Sequence, residues 1–225
     1  TYICVRDNID ELLQRLHSFE DAFLPLDSDE RKKLYYKNRD RYNELIASKA
    51  NSTETAALFI FLNKTCFNGL YRVNKKGLYN VPMGSYTNPT ICDEENLSAV
   101  SEALKNVDIV CADYRASDSF IDENTFVYFD PPYRPLNLTS NFTSYTENDF
   151  DDKAQIELAA YIQKLAQRGA YIVLSNSDPK NANPADDFFD SLYAKQKIER
   201  VRANRMINSN AGSRGKISEL LICNY

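Results

Sequence analysis

Apolar positions recur along the first third of the chain with the period of a helix. Residues 8–24 place Ile9, Leu12, Leu13, Leu16, Phe19, Phe23 and Leu24 at helical spacing. Residues 28–47 predict a second helix, opening at Ser28 and highly charged. A third runs from about 53 to 64, where Ala56, Ala57, Phe59, Ile60, Phe61 and Leu62 make it apolar nearly all round, which predicts burial. The stretch 67–86 breaks this rhythm. It is rich in Asn, carries Gly69, Gly77 and Gly84, and alternates around Asn74-Lys75-Lys76-Gly77, the pattern of a hairpin or loop. Residues 93–105 predict another short helix.

Beyond residue 105 short apolar runs replace the amphipathic stripe. Val107-Asp108-Ile109-Val110-Cys111 and Phe126-Val127-Tyr128-Phe129 are expected as buried strands, as is Tyr171-Ile172-Val173-Leu174. A long helix is predicted from Thr146 to about Arg168, with Asp149 in the capping-box position and Gly169 placed to end it. A short helix over 185–194 follows. Two more strands, 196–203 and 217–224, flank a loop of Asn, Ser, Gly and Arg. Strand, helix, strand alternation predicts an α/β sheet with helices packed on it. The expected organisation is a helical part, residues 1–92, carrying a hairpin at 68–86, and then an α/β part, 93–225.

Composition narrows the class. The chain has 225 residues, 43% of them apolar, enough for one good core or two small ones. No uncharged apolar run approaches the length of about 18 residues that a transmembrane helix needs, and no signal-peptide layout opens the chain. The cysteines Cys4, Cys66, Cys92, Cys111 and Cys223 are odd in number and scattered. Without a CxxC pair they suggest neither a zinc cluster nor a disulfide framework, and a reduced cytoplasm is the expected setting. The one histidine, His17, leaves Ser-His-Asp and Cys-His mechanisms almost nothing to work with. It is read as a structural residue of the first helix.

The net charge of −5 argues weakly against nucleic acid, but the average hides a pattern. Residues 56–92 contain Lys64, Arg72, Lys75 and Lys76 and no acidic residue. Residues 195–216 contain Lys195, Lys197, Arg200, Arg202, Arg205, Arg214 and Lys216 against Glu199 alone. Two basic stretches on an acidic chain form either one local DNA footprint or ordinary solvated faces.

Candidate chemistry sits directly after the run 126–129. Asp130-Pro131-Pro132-Tyr133 follows a predicted strand, and sites in open α/β sheets form at the carboxyl ends of strands. Successive prolines remove two N–H donors and restrict φ, and they also restrict Asp130. The resulting stiff loop fixes a carboxylate, backbone carbonyls and an aromatic ring, with no strong nucleophile among them. An exocyclic amino group on a flat base suits that set. Its N–H bonds can point at Asp130 and at the Pro131 carbonyl, freeing a lone pair otherwise delocalised into the ring, while Tyr133 stacks on the base. A base in duplex DNA must leave the stack to reach such a pocket. The bland alternative is a strand-ending turn.

The tetrapeptide has company. Thr65-Cys66-Phe67-Asn68-Gly69-Leu70-Tyr71-Arg72-Val73-Asn74, Gly77-Leu78-Tyr79-Asn80-Val81-Pro82-Met83-Gly84, Val127 through Leu136, Asn141-Phe142-Thr143-Ser144-Tyr145, Leu174-Ser175-Asn176-Ser177-Asp178 and the tail from Arg205 to Tyr225 occur in order along the chain. In these segments the sequence closely resembles the Dam-type DNA adenine-N6 methyltransferases, the GATC-specific family of DpnII- and MboI-like modification enzymes. The Asn-Gly-Leu-Tyr-Arg segment together with Asn-Val-Pro is more specific than the Asp-Pro-Pro-Tyr loop, which many amino-group methyltransferases share.

The resemblance implies a Rossmann-like methyltransferase sheet, a helical target-recognition subdomain over 1–92 and a catalytic domain over 93–225. It implies S-adenosylmethionine as cofactor, double-stranded DNA containing GATC as partner and base flipping as the route. A cognate restriction endonuclease is the implied protein partner. No metal is implied, since the sulfonium methyl is already activated and catalysis is by positioning. Asp130, Pro131, Pro132 and Tyr133 would form the catalytic loop, with Asp130, Asp113 and Tyr114 at the cofactor. Asn68, Tyr71, Arg72, Asn74, Lys75, Lys76, Asn80 and Pro82 would meet DNA from the hairpin, and Arg205, Asn208, Ser209, Asn210 and Arg214 from the polar loop. Arg72, Lys75 and Lys76 serve phosphates or read a guanine edge. The asparagines contact DNA or shape turns, and Tyr71 wedges beside the flipped base or packs in the core. Phe142 and Tyr145 line a pocket or are simply buried.

The family also places a Gly-rich cofactor loop and an acidic ribose-binding residue upstream of the recognition region. None of the six glycines precedes Gly69, so the sheet is expected to be incomplete at its N-terminal side and the chain to be part of a longer one. A truncated or degenerate GATC-binding module is therefore the competing reading, with methylation of cytosine N4 or a glutamine side chain a third. The complete Asp130-Pro131-Pro132-Tyr133 loop favours the enzyme.

Overall fold

A computed structural model describes residues 1–136, 150–204 and 216–225. The chain divides into two compact units, Thr1–Cys111 and Ala112–Tyr225. Helix α5 (Glu94–Leu104), which the sequence pattern groups with the α/β part, belongs to the first of these. Its Leu97, Val100 and Leu104 pack on the first unit's core, and Ser101 bonds back to the Arg6 carbonyl.

The first unit is helical. Helices α1 (Tyr2–Asp7), α2 (Ile9–Phe23), α3 (Ser28–Ala47) and α4 (Thr53–Thr65) precede α5. Local chemistry sets their starts: the Asp27 side chain accepts from the Asp29 and Glu30 N–H groups at the head of α3, and Ser52 caps α4 through the Thr55 N–H. Helix α4 is buried along Ala56, Ala57, Leu58, Phe61 and Leu62. Phe61 lies at the centre, with Phe19 at 5.1 Å and Phe23 edge-on at 5.5 Å between ring centroids.

The segment 67–86 is not a regular hairpin. Antiparallel pairing there is confined to isolated bridges, Val73 with Tyr79 and Cys66 with Met83. The turn between them is built by Asn74, whose Oδ1 accepts from the Lys76 and Leu78 N–H groups at 2.8 and 3.2 Å. Gly84 closes the base, its N–H donating to the Thr65 carbonyl at 2.8 Å. A Cβ at Gly84 would lie 2.8 Å from the Cys66 carbonyl oxygen, so this close approach of two backbones needs glycine.

Helix α3 holds this segment. Asn43 donates through Nδ2 to the Tyr79 carbonyl at 3.1 Å and accepts from the Tyr79 N–H at 2.8 Å. The buried Tyr35 hydroxyl donates to the Val81 carbonyl at 2.9 Å. Burial pushes the Tyr35 hydroxyl up to about 12. A raised value favours the neutral folded form, so this contribution is complete below the unfolded value of about 10 and is lost as pH rises through about 12. Tyr35→Phe leaves the Val81 carbonyl unpaired. It is expected to lower stability by about 1–3 kcal/mol at neutral pH and to flatten the alkaline limb of thermal unfolding. An unchanged Tm would show that the bond contributes nothing.

The second unit carries one open four-stranded sheet in the order β1-β2-β4-β3. Strand β1 (Phe126–Phe129) runs parallel to β2 (Tyr171–Ser177), and the connection between them contains helix α6 (Asp152–Gln167). Strand β4 (Lys216–Cys223) lies antiparallel to β2 and to β3 (Lys197–Asn204). Helix α6 buries Gln155, Leu158, Ala159, Tyr161, Ile162 and Leu165, one helical stripe. The core around that stripe includes Ile172, Leu174, Leu220 and Ile222, with Phe189 of α7 (Phe188–Leu192) and the adjoining Tyr193.

Three expectations are corrected. Residues 107–111 form no strand, and Val107 and Val110 are exposed. An apolar run becomes a strand only where a neighbour satisfies its N–H and C=O groups. Strand β1 is not buried, since Phe126 and Tyr128 are 61% and 55% exposed. Among the described residues β1 pairs with β2 alone, and one of its faces meets no packing layer. Helix α6 begins at Asp152 rather than 146, because Asp151 caps it by accepting from the Ala154 N–H at 2.9 Å. Thr146 and Asp149 lie outside the described residues. Its end is as expected, with Gly169 at φ +92, a conformation that only glycine takes readily.

Candidate active site

Register decides what meets the Asp130 loop. Because Phe129 pairs with Leu174, the next residue of each strand falls side by side. Ser175 accordingly donates from Oγ to Asp130 Oδ1 at 2.9 Å. Asp130 remains exposed to solvent, and its other carboxylate oxygen has no hydrogen-bond partner among the described residues.

The loop beyond is tied at alternate residues. Gln155 of α6 donates through Nε2 to the Pro132 carbonyl at 3.0 Å. The Arg134 N–H donates to Asn176 Oδ1 at 3.0 Å, and Ser177 Oγ donates to the Arg134 carbonyl at 2.6 Å. Asn176 Nδ2 donates in turn to Gln155 Oε1 at 3.2 Å. Asp130, Pro132 and Arg134 are thus held. Among the described residues no donor reaches the Pro131 carbonyl. Tyr133 is half-buried, and burial raises its hydroxyl above the ordinary tyrosine value.

Arg134 pins the far end. Its guanidinium bonds Asp152 at 2.7 and 3.0 Å and Asp186 at 2.8 Å, and lies 4.4 Å from the centroid of the Phe188 ring. The Arg134 hydrogen bond holds the Asp186 carboxyl below the ordinary aspartate range. A depressed value contributes stability that is complete above the unfolded value of about 3.9 and is lost as pH falls through the lower folded value. Asp186→Asn is therefore expected to cost about 0.5–1 kcal/mol at pH 7. Denaturant unfolding at descending pH should show the gap from the wild type closing. A gap constant down to acid pH would assign the cost to packing instead.

Asp113 and Tyr114 occupy a different part of the same unit. Asp113 caps the short 3-10 turn Tyr114–Phe120 by accepting from the Arg115 N–H at 2.9 Å. The Tyr114 ring packs on Tyr161 of α6 at 5.3 Å, and Tyr161 also meets Phe129 at 6.3 Å. One buried ring thus adjoins both Tyr114 and the residue preceding Asp130.

In the first unit the basic residues of 67–86 separate by role. Lys75 and Lys76 are exposed at the turn. Arg72 is exposed and makes a local pair, Nε donating to Asn80 Oδ1 at 2.8 Å. Among the described residues none of these three forms an ion pair. Asn68 sits at φ +53 in the turn Phe67–Gly69, and the Pro82 carbonyl accepts from the Phe67 N–H at 2.9 Å. Asn74 is committed to its turn. Tyr71 is half-buried, 5.8 Å from Phe59 and 5.7 Å from Tyr79, a core contact. Two members of the second basic stretch are neutralised within their own unit: Arg200 pairs with Asp178 and Asp190, and Lys197 with Glu199. Arg205, Asn208, Ser209, Asn210, Arg214, Phe142 and Tyr145 lie outside the described residues. His17 meets Glu94 at 3.0 Å on the surface of the first unit.

A carboxylate at the carboxyl end of a parallel strand, in a loop of two prolines and a half-buried tyrosine, occurs in a chain whose residues 1–207 match the model of the D12 class N6 adenine-specific DNA methyltransferases. The chain belongs to that family. This methyltransferase is similar to the type II methyltransferase M.MjaIII of Methanocaldococcus jannaschii, 52% identical over 225 residues, 100% of this chain and 75% of the relative. It is similar to the type II methyltransferase M1.LlaDCHI of Lactococcus lactis subsp. cremoris, at 35% identity over 100% of this chain and 75% of that one. It also resembles the DNA adenine methylase of Escherichia coli K12, at 35% identity over 84% of this chain and 63% of that enzyme.

The sequence gives no role to Gln155, Ser175, Asn176 or Ser177 of this methyltransferase, or to Tyr35 and Asn43. One signal was available: Gln155 is a polar residue in the stripe of Leu158, Ile162 and Leu165. Among the described residues no group of His, Cys, Asp and Glu is arranged to hold a metal, and no helix is long and apolar enough to cross a membrane.

Proposed function

We propose that this chain transfers a methyl group from S-adenosylmethionine, the methyl donor general to its family, to adenine N6 in GATC duplexes. The adenine is flipped out of the helix to reach the Asp130 loop. The observation that carries the reading is the geometry of that loop: Ser175 holds one carboxylate oxygen of Asp130 while the other oxygen and the Pro131 carbonyl are left without partners among the described residues. Two acceptors of that kind suit the two N–H bonds of an amino group. Tyr133, neutral and half-buried between anchored neighbours, offers a ring face to the base.

The cofactor supplies an activated methyl when bound, and the donor set is compatible with it. Asp130 and Asp113 present exposed carboxylates suited to a cationic nucleoside, and Tyr114 adds a ring held by Tyr161. The chain's own work is to orient the amino group, accept hydrogen bonds from it and favour positive charge developing on its nitrogen through the Asp130 carboxylate. DNA contact is assigned to Arg72, Asn80, Lys75 and Lys76 of the first unit. Asn68, Asn74, Tyr71 and Pro82 shape the segment that carries them, and Arg205, Asn208, Ser209 and Asn210 are assigned further contacts. Relatives named as type II methyltransferases support a restriction–modification role beside a cognate endonuclease, and free cysteines suit the cytoplasm. A GATC-binding module without transfer is disfavoured by the intact Asp130–Ser175 arrangement.

The test is labelled methyl transfer to a GATC duplex, a scrambled duplex and a GATC duplex already methylated at N6. Transfer to the first alone is expected. Equal transfer to the scrambled duplex would overturn the specificity, and selective binding without transfer would favour the binding module.

A further inference from the structure

Two side-chain amides lie in the core of the second unit. Gln155 and Asn176 are both 0% exposed, among Leu158, Ile162, Leu165 and Leu174. Buried amides are costly unless every bond is made, and these two spend their bonds on the catalytic loop. Asn176 Oδ1 accepts from the Arg134 and Ser177 N–H groups at 3.0 and 2.9 Å. Its Nδ2 must then donate, and does so to Gln155 Oε1 at 3.2 Å. Gln155 Nε2 is left to donate to the Pro132 carbonyl, at 3.0 Å. Backbone groups at both ends fix the direction of the whole relay, since an N–H can only donate and a carbonyl only accept. Flipping either amide would break bonds at one end.

We infer that Gln155 and Asn176 are positioning residues that clamp the backbone of Pro132 and Arg134 and so set the pose of Tyr133 between them. The inference rests on the reading of Tyr133 as the ring that stacks on the target base. The clamp closes on the residues either side of Tyr133 and itself makes no bond to the ring. Reacting groups misplaced by about 1 Å lose rate steeply, and without the relay the contacts left at the loop's far end, among the described residues, are the Arg134 ion pairs, its contact with Phe188 and Ser177.

The experiment is a double-mutant cycle on the full-length protein, read in single-turnover methyl transfer and in KM for the duplex. Gln155→Met keeps the shape and removes both amide bonds. It is expected to lower the rate of transfer about tenfold with KM for DNA unchanged. In a Tyr133→Ala background the same substitution should change the rate by less than about twofold, because the clamp then has no ring to place. Gln155→Glu serves where the Met variant fails to fold; assayed at a pH that ionises the carboxyl, it keeps the acceptor for Asn176, loses the donor to Pro132 and is expected to behave likewise. An equal loss with and without Tyr133 would overturn the inference, as would full activity of a folded Gln155 variant. A Tyr133→Ala protein with undiminished rate would instead overturn the reading of Tyr133, and the inference would fall with it; that outcome is distinguished by needing no change at residue 155.

Discussion

Asp130→Ala is expected to lower methyl transfer by roughly a thousandfold while DNA affinity stays within severalfold of the wild type. The amino group of adenine is a poor nucleophile because its lone pair is shared with the ring. An acceptor on each N–H bond favours the nitrogen geometry in which that pair is free. The carboxylate also stabilises the positive charge that builds on the nitrogen as the new bond forms, an interaction stronger in the transition state than before it. Its loss should therefore fall on kcat, with KM for DNA nearly unchanged. Ser175 fixes one oxygen of Asp130 at 2.9 Å, and the other has no hydrogen-bond partner among the described residues, which suits this role. Ser175→Ala should reproduce a smaller part of the same loss. The measurement is single-turnover transfer beside a binding isotherm. Near-normal turnover of Asp130→Ala would remove the residue from the chemistry, and a parallel collapse of DNA affinity would make its role structural.

Arg72→Ala is expected to cost about 1–3 kcal/mol in DNA binding, with the loss falling on GATC rather than on altered sites. Arg72 is the exposed guanidinium of the segment 67–86, and Asn80 already fixes its Nε at 2.8 Å. That bond holds the planar group at one edge and leaves Nη1 unbonded among the described residues. Such a pre-set fork is suited to the acceptor edge of guanine. Affinities for GATC and for duplexes altered at one position, measured across a salt series, separate the outcomes. Loss of discrimination makes Arg72 a base reader. A uniform loss with the salt slope reduced by about one makes it a phosphate contact. Unchanged affinity on every duplex would take this segment out of the interface. Asn80→Ala should weaken discrimination in the same direction and by less, since it loosens the guanidinium without deleting it.

Local signals carried much of the architecture. Helix α3 spans Ser28–Ala47, as its capping residues imply, because a side chain that satisfies the first N–H groups defines a helix start without outside help. Strand β2 was legible from its apolar run at 171–174, and the close of α6 from Gly169, a residue free to take positive φ. The start of α6 was not, since the capping-box pattern of Thr146 and Asp149 pointed upstream of Asp151, the residue whose side chain caps the helix. The run 107–111 reads like a strand from composition, but strand formation is settled by a partner supplied from elsewhere in the chain.

The chemistry divides in the same way. The sequence by itself determined the stiff Asp130-Pro131-Pro132-Tyr133 loop, the family and the basic residues around Arg72, because each depends on residue types at short range. Only the tertiary structure decided that Ser175 meets Asp130, that Gln155 and Asn176 bind the loop from within the core, that Asn43 and Tyr35 hold Tyr79 and Val81, and that Tyr71 belongs to the core. Hydrogen bonds of this kind join residues 20 or more positions apart. They form through sheet register and helix packing, so the identity of each partner is fixed by the fold as a whole and is not written in either residue's neighbourhood.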